Sequence, residues 1–227
     1  MPAIETNYVP VADKAYDFKA YLRPRAITLD CLVTGTNTTN LVANLDGISR
    51  LINPQNGVKT LVLDAPSDRY YNAKPDSAID WEIIGDKLAS GQLRFVCPDP
   101  LGYANSATSS NYNINADPKT VSETTVGGTA YIEPVWTLTA GGTLSSVTIK
   151  VKNNTTVEEI QWTGSLTVGQ TLVINVPLWI VYKVGVASMA TVTGQFPRLL
   201  PNQANSITVT AFGTTGTMNI AYRNTYL

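Results

Sequence analysis

The 227 residues carry 16 Lys and Arg against 17 Asp and Glu, a formal net charge of −1, and 44% of them are hydrophobic. A disordered chain is poorer in apolar residues, and a nucleic-acid binder driven by bulk charge is far more basic. There is no histidine, which removes Ser-His and Cys-His hydrolytic arrangements and the commonest zinc ligand. No apolar run approaches the ~20 residues that cross a bilayer, so no membrane insertion is expected. Met1-Pro2-Ala3-Ile4-Glu5 lacks a basic stretch leading into an apolar core, and the expectation is synthesis and retention in a cytoplasm.

Charge is uneven along the chain. Residues 1–104 hold 10 Lys/Arg and 12 Asp/Glu, whereas residues 105–227 hold 6 and 5. The change falls at Pro98–Tyr103, ahead of the Ser/Asn-rich run Ala104–Asn111, which reads as a linker or long exposed loop. Two domains are therefore expected, 1–104 and 105–227.

In chain order, residues 1–20 are weakly patterned. Tyr21–Val33 predicts a strand with Ile27, Leu29 and Cys31 on one face, and Pro24 near its start marks an edge or a beginning. Leu41, Leu45, Ile48 and Ile52 then recur at helical spacing behind the possible caps Asn37–Asn40, with Asn53-Pro54 and Gly57 as the stop. Strands are predicted over Val58–Leu63, Ala78–Ile84 and Gln92–Cys97, with Asp64–Tyr71 as a turn-rich segment. The second half reads as β throughout: Thr129–Thr139, Thr143–Lys152, Glu158–Trp162, Gln170–Val176, Trp179–Val186 and Met189–Thr193. Short strands at this spacing predict a sandwich. Phe196-Pro197 and Leu199-Leu200-Pro201 predict a corner, Asn202 and Asn205 turn chemistry, and Ser206–Phe212 with Thr217–Ala221 a hairpin around Gly213–Gly216. The apolar end Tyr226-Leu227 is expected to be buried. Cys31 and Cys97, both in strand-like runs, are expected to be buried free thiols.

The Phe-Pro-x-Leu corner (Phe196, Pro197, Leu199), the turn reaching Asn205 and the ending Tyr222-Arg223…Leu227 resemble the distal tail proteins of long-tailed bacteriophages. So, in the same order, do Pro24-Arg25, the Leu45-Asp46…Pro54 helix, the Gly57–Leu61 strand, Asp68-Arg69-Tyr70-Tyr71 and Phe95–Leu101 with Asp99-Pro100. Gly169–Asn175 is similar to a strand of the family's second domain, with Asn175 where an acidic residue is more usual. The resemblance implies a mainly β chain: a first, tail-tube-like sandwich or split-barrel domain with one helix, then a galectin-like β-sandwich. It implies a structural virion protein at the tail tip, assembled in the host cytoplasm as a homo-hexameric ring of first domains. The implied partners are the tail tube protein, the hub or tail-associated protein, the tape measure protein and a receptor-binding protein. The helix, Asp68–Tyr71 and the N-terminal residues are expected near the ring contacts.

Chemistry finds little support. Asp64, Asp68, Asp76, Asp80 and Glu82 cluster in sequence, yet turns and alternating strand positions explain them as a solvated rim. Glu158-Glu159 points to opposite faces of a strand and is no dyad. Gly127-Gly128 and Gly141-Gly142 lack a phosphate-cradle pattern, and Asn111–Asp117 lacks calcium-loop spacing. No catalytic residue, cofactor, metal or specific nucleic-acid site is expected. The alternative function is a carbohydrate-binding sandwich of a surface assembly, with Trp136, Trp162 and Trp179 as a stacking platform beside Tyr131 and Tyr182.

Overall fold

A computed structural model describes the backbone of residues 4–11, 14–76, 79–124 and 126–227, and side chains from Leu22 onward within those ranges. The protein is mainly β and divides into two units, Met1–Gly102 with Leu227, and Tyr103–Tyr226.

In the first unit, β1 (Ile4–Val11) and β2 (Lys14–Leu22) pair antiparallel as a two-stranded sheet of their own, where the sequence shows only weak patterning. Next comes β3 (Arg25–Thr34), which starts four residues later than expected because Pro24 cannot donate to a ladder. Helix α1 (Thr38–Leu51) begins earlier than Leu41, because Asn37 caps it: its side chain accepts from Asn40 N–H, and Asn40 Oδ1 accepts from Thr36 N–H. Gly35 sits where any Cβ would lie 2.6 Å from Leu41 N, so only glycine admits this tight passage from strand to helix. Pro54 opens a short 3-10 turn, Pro54–Asn56, and β4 (Lys59–Val62), β5 (Arg69–Pro75), β6 (Glu82–Ile84) and β7 (Leu88–Cys97) follow. The turn-rich reading holds only up to Asp68, since Arg69–Tyr71 already pair with β4 or continue into its partner strand. Within the expected strand Ala78–Ile84, only Glu82–Ile84 is β, and Ala78 lies outside the described residues.

β3 pairs with β7 over their whole length, from Arg25 opposite Cys97 to Thr34 opposite Leu88. The other edge of β7 takes β6 and the end of β5, and β4 pairs with β5. Alternation puts Val33 and Ala89 on one face, where Leu41 and Leu45 of α1 bury them with help from Ile48 and Trp81. A second small core gathers Tyr71, Ala73 and Cys97 with Ile27, Leu61, Leu63 and Phe95. Cys97 is buried, whereas Cys31 is only half-buried, and both thiols are free. Burial raises the pKa of each, with Asp30 adding to it at Cys31.

After β8 (Gly102–Ala104) at the boundary, the second unit contains β9 (Thr108–Asn113), β10 (Lys119–Glu123), β11 (Val135–Ala140), β12 (Leu144–Asn153) and β13 (Glu158–Leu166). It continues with β14 (Thr171–Asn175), β15 (Ile180–Lys183), β16 (Val186–Ala187), β17 (Val192–Gly194), β18 (Asn205–Thr210), β19 (Gly216–Tyr222) and β20 (Thr225–Tyr226). One sheet runs β10-β18-β12-β13-β17 and the other β16-β15-β14-β11-β19-β9. Alternate residues of the central strands enter one continuous core built on Trp136, Leu138, Ile149, Val151, Ile160, Leu172, Ile174, Ile207 and Ile220.

Three expectations fail here. The Ser/Asn run is not a free linker, because Thr108–Asn113 pairs with Thr217–Tyr222 of β19 at a sheet edge, where polar side chains are tolerated. The expected final hairpin does not exist either, since β18 and β19 belong to opposite sheets. Phe212 turns inward between them at 1% exposure, and Ala211 and Gly213 take positive φ so that the chain can cross the sandwich. The Asp117 carboxylate accepts from Ala211 N–H and Gly213 N–H and fixes that crossing. At the C-terminal end Leu227 is exposed and Tyr226 half-buried, and Thr225 is the buried residue.

Candidate functional site

The residues singled out by motif fall into structural joints, not into a cleft. In the first unit the Arg25 guanidinium lies 5.1 Å over the Tyr71 ring, a cation–π contact, and its Nε and Nη2 are shielded from solvent. Gly102 packs against that same ring, where a Cβ would come 2.9 Å from Tyr71 Cε1. Asp68 and Arg69 form a fork of two hydrogen bonds at 2.9 and 3.1 Å, and this pair holds the exposed Asp68 carboxyl below its ordinary pKa. Asp99 Oδ1 accepts from Leu101 N–H and shapes the turn that Pro98 and Pro100 restrict. Leu45 is core, while Pro24, Asp46 and Pro54 are exposed and Tyr70 half-buried.

The second unit turns its motif residues into a corner with fully paired polar groups. Pro197 C=O accepts from Trp136 Nε1–H, and Leu199 exchanges backbone bonds with Ile132. Asn205, fully buried, accepts from Leu200 N–H and Asn153 Nδ2–H and donates to the carbonyls of Leu200 and Gln203. Between these lies Arg198, whose backbone and side chain both donate to the buried Glu158 carboxylate while the guanidinium stacks 4.6 Å from the Tyr131 ring. Burial pushes the Glu158 carboxyl up, the Arg198 hydrogen bonds outweigh that, and the group sits below the usual range. Tyr222 and Tyr112 donate to the two oxygens of buried Glu123, at 3.2 and 2.9 Å. Burial, then Glu123, pushes the Tyr112 phenol up to about 12, which keeps it a donor. Arg223 donates to the carbonyls of Ala104 and Asn105, and Thr225 Oγ1 to those of Ala130 and Tyr131.

Glu123, Asn153 and the Glu158–Arg198 pair escaped the sequence reading. Tyr112 beside Glu123 apart, their partners lie 40 or more residues away, and no spacing rule reaches that far. The acidic cluster Asp64–Glu82 is exposed apart from its half-buried neighbours, with Asp76 paired to Arg94 at 3.0 Å and Asp68 to Arg69. Among the described residues no grouping of His, Cys, Asp and Glu forms a metal site. The expected tryptophan platform is not assembled: Trp136 and Trp162 are core residues at 0% and 3% exposure, each with its indole N–H bonded inside the fold. Trp179 is 59% exposed, in a turn and not in a strand, with its ring 5.4 Å from Phe196. The first unit also exposes large apolar side chains, among them Leu51 at 81%, and Leu32 and Ile84 on the sheet face turned away from α1. No helix among the described residues is long and apolar enough to cross a membrane.

These features define a mainly β protein in which a helix-bearing sheet unit precedes a two-sheet sandwich, with polar groups spent on corners and no catalytic constellation among the described residues. No protein-family model and no curated protein matches the chain. The solved structure of the SPP1 Dit (gp 19.1) protein, described as a paradigm of the hub adsorption apparatus in phages infecting Gram-positive bacteria, has the same fold. It superposes with a TM-score of 0.76 over 100% of this chain and 90% of that one, at 14% identity.

Proposed function

We propose that the chain is a structural, non-enzymatic protein of a bacteriophage tail tip. The observation that carries this reading is the likeness in fold to SPP1 Dit over the full chain, through both units in one order. Residues 1–104, which take in Met1–Gly102 of the first unit, form a homo-hexameric ring at the distal end of the tail. The ring joins the tail tube protein to the hub or tail-associated protein, with the tape measure protein on its axis. The galectin-like second unit is peripheral and carries a receptor-binding protein in host attachment. Exposed apolar side chains and charges of both signs on the first unit suit a surface that recognises several protein partners in register. The near-neutral net charge suits a lumen that lets DNA pass without holding it.

Carbohydrate binding by the sandwich is the weaker alternative, because burial of Trp136 and Trp162 leaves Trp179 to act alone. Mass photometry and negative-stain imaging of the purified protein test the reading. Closed rings of six times 24.4 kDa are expected. A monomer at tens of micromolar, or an open filament, overturns the ring.

A further inference from the structure

Among the described residues, three shielded polar side-chain atoms have no hydrogen-bond partner: Arg25 Nε, Arg25 Nη2 and Trp81 Nε1. The indole is neutral and lacks one bond. The guanidinium carries a full charge and lacks two, a far greater penalty. Other arginines of the protein show the contrast. Arg69 meets Asp68, Arg94 meets Asp76, Arg198 meets Glu158, and Arg223 donates to the carbonyls of Ala104 and Asn105. A native fold seldom keeps a shielded, unpaired charge unless an ion or an acceptor completes it.

The two unpaired donors are not scattered. Nε–H and the Nη2–H beside it share one edge of the planar guanidinium and point the same way, the fork that takes both oxygens of a carboxylate. Its support is rigid. Arg25 opens β3 opposite Cys97 of β7, and its guanidinium lies over the Tyr71 ring. Tyr71 is itself buried, and Gly102 closes on its ring so tightly that a Cβ there would clash. Ala73, Ile27, Leu61 and Phe95 complete this small core, and none of their side chains can accept a hydrogen bond. One guanidinium matches one negative charge. A phosphate dianion calls for a second cation, and Arg69, which also borders Gly102, is already matched by Asp68.

We propose that Arg25 is a socket for a carboxylate, the side chain of an Asp or Glu on a partner protein, which supplies the acceptors missing at Nε and Nη2. Arg25 as a whole is only half-buried, so a swing of its long stem brings the fork to the incoming group. Pairing then removes the penalty of the closed, unpaired state, and that release drives binding. The partner's place in a tail tip rests on the proposed function, whereas the carboxylate specificity stands without it.

The test follows the thermal midpoint of the full chain by calorimetry as acetate replaces chloride at constant ionic strength and neutral pH, with inorganic phosphate as a second probe. Two variants accompany it: Arg25→Met, which fills the space without the charge, and Arg25→Lys, which keeps the charge and loses the fork. In the unaltered chain acetate is expected to raise the midpoint saturably, by about 5 °C once it exceeds its dissociation constant roughly tenfold. Arg25→Met is expected to match or exceed the unaltered midpoint in chloride and to lose the saturable rise, and Arg25→Lys to lose most of it. An equal rise in the methionine variant is a general salt effect and overturns the site. An unaltered chain that does not respond overturns it too. So does a methionine variant with a lower midpoint in chloride, since the stack on Tyr71 is then all that Arg25 supplies. A larger response to phosphate than to acetate overturns the carboxylate assignment. Ring formation is read separately from mass, so a failed acetate response leaves the tail-tip reading standing, and a monomer that responds to acetate rejects the ring alone.

Discussion

Asn205→Ala removes four hydrogen bonds at a position with no solvent access. The N–H and C=O of half-buried Leu200 lose their partner, whereas Asn153 Nδ2 keeps the Arg198 carbonyl and the Gln203 carbonyl lies where water reaches it. At about 1 kcal/mol for an ordinary lost bond and about 1–3 for a buried group left unpaired, the loss is about 3–4 kcal/mol. For a unit of this size that lowers the thermal midpoint by roughly 10 °C. The assay is scanning calorimetry of the full chain, with the second transition followed by near-ultraviolet dichroism of Trp136 and Trp162. Asn205→Asp sharpens the test. It keeps the acceptor but aims a carboxylate at two carbonyls, so the introduced group has a raised folded pKa. Its penalty is full above the raised folded pKa, shrinks as the pH falls from there towards the ordinary Asp value of about 4, and is absent below it. A loss under about 1 kcal/mol for the alanine variant, or no pH dependence for the aspartate one, refutes the account of this corner.

Glu158 has a folded pKa below its ordinary value of 4.5, so its pairing with Arg198 stabilises fully above that value and is lost as pH falls through the folded pKa; Glu158→Gln should flatten the decline of the thermal midpoint in that acid window. Tyr112→Phe removes the phenol bond to Glu123 and should cost about 1–3 kcal/mol by chemical denaturation, as for a bond to a charged group. Val184 and Gly185 both take positive φ in the turn between β15 and β16, which disfavours a β-branched residue; Val184→Asn should raise stability by about 0.5–1 kcal/mol. Trp179→Tyr should abolish most iodide-quenchable fluorescence with a stability change under about 1 kcal/mol, since this is the most exposed of the indoles placed in the second unit.

Local patterns settled a good deal. Leu41, Leu45 and Ile48 at helical spacing, closed by Pro54, specified α1 because the 3.6-residue period and a missing donor act within a few residues. Alternation from Trp136 to Leu138, and from Leu172 to Ile174, specified strands with one buried face, since period two is a property of the strand itself. Sheet membership is a different matter. β18 and β19 read as a hairpin because alternation and a glycine-bounded turn look the same whether the chain returns to its own sheet or crosses to the other. Phe212 entering the core and Asp117 gripping the crossing, 94 residues from Ala211, made that choice. The same limit hid β9, whose Ser and Asn side chains carry no apolar signal and whose strand exists only because β19 offers it a ladder. It also hid the difference between Trp136, buried and bonded to Pro197, and Trp179, exposed in a turn. Sequence encodes which residues want burial through short-range periodicity; which of them meet is decided by contacts whose partners are distant along the chain, and only the tertiary structure brings those together.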